Sequence, residues 1–299
     1  MKPDGPDSEN MGCREKPETR TAPGLQRSLA SGAAGRSPHP VELYDAGKPL
    51  EAVWIGPPPD AAPTLIFLHE GLGCVALWRD IPARLVELTG CGALIYSRRG
   101  YGASAPCRLP RPIDFMHREG RVVLPEIIGQ CGIREHILIG HSDGGSIALI
   151  NAGGRPVSGL TGVVTLAAHV FCEEITRRSI EAARRRYLEG DLKARLAVYH
   201  GENTGCAFWG WNDVWLHPDF VHWNIEDVLP AVQVPVLAIQ GEDDPYGTMA
   251  QLEAIRQGLG PRASVESIAD CGHAPHSEKK EIVLPGIRDF VHRIRSEWI

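Results

Sequence analysis

The amino-acid sequence predicts an α/β fold, a doubly wound, mostly parallel sheet with a helical cap inserted late in the chain. Three observations predict it. From Val41 onward, short aliphatic runs alternate with longer amphipathic ones, the pattern of right-handed βαβ crossovers. Several of the runs are almost pure Leu, Ile and Val, as strands covered on both faces require. The alternation fails once, between Phe171 and Val232, where about sixty residues carry no strand pattern; that is too long for a plain connection.

Residues 1–38 come first, rich in Pro, Gly, Ser and charge and poor in aliphatics. They cannot bury enough surface to offset the entropy of ordering and are expected to be a disordered extension. Strands are expected at Glu51–Ile55, Thr64–Leu68, Ala93–Tyr96, His136–Ile139, Gly162–Leu166, Val236–Ile239 and Ser264–Ile268. Helices are expected between them, at Leu77–Leu88, Phe115–Gln130, Gly145–Ala152, Thr248–Gly258 and Ile282–Trp298. The core domain is thus 39–170 with 232–299. The cap is 171–231, a charged helical stretch at Glu173–Arg195 followed by Phe208, Trp209, Trp211, Trp215, Phe220 and Trp223. Such a cap belongs over the C-terminal edge of the sheet, where open α/β sheets place their ligands.

Composition narrows the class further. Of 299 residues, 43% are apolar and 23% charged, with a net charge of −6. That balance gives no reason to expect nucleic acid or an anionic membrane as a partner, and no apolar run is long enough to cross a bilayer. The first forty residues mix Lys and Arg with Pro, Gly and Ser and hold no apolar signal-peptide core. The eight cysteines show no CxxC or zinc-type spacing and are expected to be buried free thiols of a reducing compartment, the cytoplasm. His200, His217 and His222 match no ligand motif, so neither metal nor other cofactor is expected. A small molecule is the expected partner, and nothing stands against a homodimer.

The chemistry centres on Gly140-His141-Ser142-Asp143-Gly144, which follows an aliphatic strand and precedes a helix. A nucleophile on so sharp a turn needs small residues two positions before and after it, and the helix start behind it favours developing negative charge. Reading Asp143 as the nucleophile would put His141 where a small residue is needed, so the serine register is the one that fits. Ser142 needs a base. His273 follows Gly272 on the loop after the last strand, and His276 competes with it. The base needs an orienting acid, and Gly241-Glu242-Asp243-Asp244 ends the strand Val236–Ile239. Asp244 is the expected acid and Asp243 the reserve. Oxyanion donors are expected from Asp143 N–H and from the His69-Glu70-Gly71-Leu72-Gly73 loop, with Gly71 ahead of Leu72.

Together these pieces, with the turn Ser97-Arg98-Arg99-Gly100-Tyr101-Gly102, resemble the α/β-hydrolase superfamily over residues 41 to 299. They look most like its small cytosolic capped members, which include carboxylesterases and C–C hydrolases of meta-cleavage products. The order Ser, acid, His is that of the family. Glu70 departs from the His-Gly-Gly common at the oxyanion loop, and its carboxylate would oppose an oxyanion unless it points away or pairs with a cation such as Arg98 or Arg99. Ser97 stands where many relatives carry Asp. Glu70, Arg99, His169, Trp209 and Trp211 are the residues expected around a substrate. The resemblance implies a serine hydrolase that cleaves a small, partly apolar carboxylic ester through an acyl-enzyme. The alternatives are C–C cleavage of a diketone, thioester hydrolysis or acyl transfer, and a ligand receptor on the same fold.

Overall fold

The computed structural model describes residues 37–296. All but the last two residues of the expected N-terminal extension, Cys13 included, lie outside the described residues. The strands are β1 (His39–Pro40), β2 (Leu43–Asp45), β3 (Lys48–Leu50), β4 (Ala52–Ile55), β5 (Thr64–Leu68), β6 (Gly92–Tyr96), β7 (His136–His141), β8 (Leu160–Leu166), β9 (Val236–Gly241) and β10 (Ala263–Ile268). Eight of them form one sheet in the order β1-β4-β6-β5-β7-β8-β9-β10. From β6 to β10 every neighbouring pair is parallel, while β1 and β4 close the other edge antiparallel. The seven aliphatic runs read from sequence are β4 to β10. The hairpin β2–β3 had no legible signal: three residues each, a proline at position 49, and a turn at Ala46-Gly47.

The helices are α1 (Ile81–Thr89), α2 (Phe115–Arg118), α3 (Leu124–Gln130), α4 (Asp143–Ala152), α5 (Glu174–Glu189), α6 (Leu192–His200), α7 (Thr204–Trp215), α8 (Met249–Leu259), α9 (Pro275–Glu278) and α10 (Lys280–Ser296). Alternate residues of β5 divide between two apolar clusters. Ile66 and Leu68 pack with α2, α3, α4 and α8, and Leu65 and Phe67 pack with α1 and α10. The period of two along each strand therefore feeds both faces of the sheet.

Three helix expectations need correction. The run Leu77–Leu88 is a 3₁₀ turn at Val75–Trp78, then a break at Arg79 with φ of 52°, and only then α1. The run Phe115–Gln130 is α2 and α3 joined by a π turn at Glu119–Val123. The charged stretch Glu173–Arg195 is α5 and α6, parted at the extended Gly190; a helical period reads through such a break because the apolar face resumes beyond it. Between β8 and β9 the described residues form α5, α6, α7 and short 3₁₀ turns, with one isolated bridge from Phe171 to Asn224. No helix among the described residues is long and apolar enough to cross a membrane.

Candidate active site

The C-terminal ends of β5, β7, β8, β9 and β10 converge on one spot. Ser142, between β7 and α4, has φ 51° and ψ −119°, a conformation that costs an L-residue about 1–3 kcal/mol and persists only where its surroundings impose it. Here Ser142 N–H donates to Leu166 O at 2.9 Å. A Cβ on Gly140 would strike the Gly144 backbone, and one on Gly144 would strike Leu68 O. The two glycines are therefore a packing requirement of the turn.

Ser142 Oγ lies 2.9 Å from His273 Nε2, and His273 Nδ1 lies 2.8 Å from both carboxylate oxygens of Asp244. Since a carboxylate can only accept, Nδ1 carries the proton and Nε2 is left to accept from the serine. Asp244 also accepts from Tyr246 N–H at 2.8 Å. Burial alone would raise its pKa, but the His273 hydrogen bond and charge outweigh that and hold it below the ordinary value. The two alternatives named from sequence lie elsewhere: Asp243 is exposed, and His276 is buried against Trp78 and His141.

Glu70 is paired, but with neither arginine. Its Oε2 is 3.3 Å from His141 Nδ1, and His141 Nε2 donates to His273 O at 2.7 Å. Both partners are acceptors, so His141 is held as imidazolium. Burial opposes the charge on each group of the pair, yet their mutual attraction prevails: the His141 pKa is raised, and that of Glu70 falls well below the carboxylate range. Arg98 donates instead to the carbonyls of His69 and Glu70. Ser97, in the place of the usual Asp, donates to Glu51 Oε2 at 2.6 Å, so the carboxylate of this corner comes from the neighbouring strand side.

A cavity of about 100 Å³ opens on Ser142. Glu70, Gly71, Leu72, Asp143, His169, Trp211 and His273 all border it, as do four residues that sequence reasoning missed, Thr176, Ile180, Trp215 and Tyr246. Gly71 and Leu72 donate to no backbone carbonyl among the described residues, and Asp143 N–H belongs to the unpaired first turn of α4. Asp143 is fully buried, accepts from Trp215 Nε1 at 3.1 Å, and has its pKa raised by burial. His169 gives Nε2–H to Tyr246 O at 3.0 Å, and burial presses its pKa down to about 4.

Two expected substrate residues do not border the cavity. Arg99 turns to Pro106 O and to Asp45, 3.9 Å away. Trp209 packs on Tyr187 and Phe208 beneath Arg184. Of the missed residues, Trp215 lies in the aromatic stretch visible in the sequence, whereas Thr176, Ile180 and Tyr246 carried no local signal.

The chain matches the model of the alpha/beta hydrolase family over residues 65–283. It is 22% identical over 254 residues to the mouse protein named sn-1-specific diacylglycerol lipase ABHD11, covering 77% of this chain and 81% of that one. Among solved structures, the esterase EaEST from Exiguobacterium antarcticum superposes with a TM-score of 0.68 at 16% identity, over 84% of this chain and 98% of its own. The enol-lactonase from Burkholderia xenovorans LB400 gives a TM-score of 0.64 at 17% identity, over 84% of this chain and all of the other, 100%. With the family model spanning well over half its length, this chain belongs to the alpha/beta hydrolase family and is a hydrolase.

Proposed function

We propose that the protein cleaves small, partly apolar carboxylic esters through an acyl-enzyme formed on Ser142. The observation that carries this reading is the hydrogen-bonded series Ser142–His273–Asp244 at the mouth of a cavity of about 100 Å³. His273 Nε2 takes the Ser142 proton as Oγ bonds to the ester carbonyl carbon. The tetrahedral oxyanion takes hydrogen bonds from Asp143 N–H and from Gly71 or Leu72 N–H. Collapse expels the alcohol, which receives the proton from His273. Water, deprotonated by the same imidazole, then releases the acid and restores Ser142. Asp244 keeps the imidazole in its Nδ1–H form and stabilises the transient cation.

The paired Glu70 suits this chemistry, because the imidazolium of His141 balances its charge beside the oxyanion loop. The helical insertion 171–231 serves as the cap: Thr176 and Ile180 on α5, with Trp211 and Trp215 on α7, wall the cavity. Relatives named as a lipase and an esterase fit ester cleavage. The cavity's size favours short acyl groups over long ones.

The test is steady-state hydrolysis of p-nitrophenyl esters from acetate to octanoate by the wild type and Ser142→Ala. Turnover should fall with chain length and drop by at least about a thousandfold in the mutant. Folded wild-type protein without esterase turnover would refute the proposal and turn the search to C–C bonds or to ligand binding without reaction.

A further inference from the structure

Away from the cavity, two thiols 99 residues apart in sequence lie side by side: Cys107 Sγ and Cys206 Sγ are 2.8 Å apart. Cys107 sits on the loop that follows β6, and Cys206 on the first turn of α7, the helix that also carries Trp211 and Trp215. Both are half-buried and free. The site is shaped to hold them. Gly100 lies directly beneath, where any Cβ would come within 2.7 Å of both sulfurs, and its φ of +83° suits glycine. Arg111 Nη2 donates to Cys107 Sγ at 3.1 Å, and Cys107 N–H donates to Cys206 Sγ at 3.4 Å. No other two described cysteines are in sulfur–sulfur contact; of the rest, Cys74, Cys91 and Cys271 are buried.

We propose that Cys107 and Cys206 are a redox-active dithiol that low-molecular-weight disulfides oxidise to an intramolecular disulfide, stapling α7 to the loop after β6. Cys206 is the attacking thiol. Cys206 Sγ is the one that accepts Cys107 N–H, the hydrogen bond from Cys107 lowers its pKa against the opposing effect of burial, with Arg111 and Arg99 adding to the fall, and the thiolate is the reactive form. Its sulfur bonds to one sulfur of the small disulfide RSSR and displaces RS⁻. Cys107 then gives up its proton and attacks Cys206 Sγ, breaking the mixed disulfide and releasing the second RS⁻. The protein loses two protons and two electrons, and RSSR takes up both to become two RSH.

The experiment incubates the full chain with glutathione disulfide and counts thiols after denaturation. Of the eight cysteines, two should disappear, a peptide map should join the Cys107 peptide to the Cys206 peptide, and dithiothreitol should restore both. In Cys107→Ser the reaction should stop with glutathione held on Cys206. Loss of thiols at other positions, glutathione retained by the wild-type pair, or no loss at all would overturn the proposal. A Cys107→Ser protein that takes up no glutathione would overturn Cys206 as the attacking thiol. None of these readouts depends on ester turnover, so the dithiol and the esterase reading stand or fall separately.

Discussion

Acyl transfer builds negative charge on a carbonyl oxygen, so a carboxylate one residue from Gly71 has to be neutralised if it is not to raise the barrier. In the proposed reaction His141 would do this, and the same side chain donates to the carbonyl of His273 at 2.7 Å, tying down the loop that carries His273. Glu70→Gln keeps the shape and removes the charge. Burial lowers the His141 pKa, and Glu70 leads the influences that raise it, ahead of the His273 carbonyl and Asp244; without the Glu70 charge the imidazole should therefore titrate lower than in the wild type. Histidine NMR titration of both proteins measures this directly, and an unshifted His141 would show that Glu70 is not its counter-ion. The Glu70 side chain is 26% exposed, which puts the stability loss near the low end for a charged hydrogen bond, about 1.5 kcal/mol by urea unfolding. Ser142 and the glycines around it were legible in the sequence because one turn of chain carries the whole requirement. The Glu70–His141–His273 connection was not, because its last link joins residues 132 apart and no local pattern encodes it.

At the scale of elements, α7 brings Trp211 and Trp215 to the cavity wall. Trp211 packs so closely on Gly71 that a Cβ there would overlap the indole, and the same ring borders the cavity. Trp211→Ala should extend the cavity along the oxyanion loop and move preference toward longer acyl chains. The octanoate-to-acetate ratio of kcat/KM should rise by tenfold or more, since each methylene accommodated is worth about 1–3 kcal/mol. Because Trp211 is 6% exposed, the variant should also lose about 3–5 kcal/mol of stability. Unchanged chain-length preference in folded Trp211→Ala would remove α7 from substrate selection. Strands β4 to β10 were legible within two residues at either end, as aliphatic runs buried on both faces must be. Single aromatics on α7 were not, and the helix explains why. Trp209 and Trp211 are two positions apart, so they leave the helix about 200° apart, and only one of them can face Ser142. Arg99 was misplaced for a similar reason, since a loop's sequence does not tell which way its side chains turn.

For the molecule as a whole, pH acts mainly through histidines the fold has made hard to protonate. Burial lowers the pKa of His69, His117, His136, His169, His200 and His276, to about 4 for His136 and His169 and about 3 for His276. Unfolded, each would titrate near 6.5. Between the folded and unfolded values the unfolded chain binds more protons, so this stability is fully present above pH 6.5 and drains away as pH falls. Two kinds of group run the other way. His141, with its raised pKa, stabilises the fold most below 6.5 and loses that contribution as pH rises. Asp143 and Glu119, raised by burial, weaken the fold as pH climbs past their unfolded values. These are outnumbered, and below about pH 4.5 the depressed carboxylates Glu70 and Asp244 begin to lose their stabilisation too, adding to the acid limb. His136, His169 and His276 alone should each cost about 1–2 kcal/mol at pH 5 relative to pH 7. Summed over the three, Tm should fall by roughly 5–10 °C between those pH values. Thermal unfolding at constant ionic strength from pH 7.5 to 4.5 tests this: a steady decline that begins near 6.5 is expected, while a flat profile down to pH 5 would mean that these histidines take up protons without unfolding.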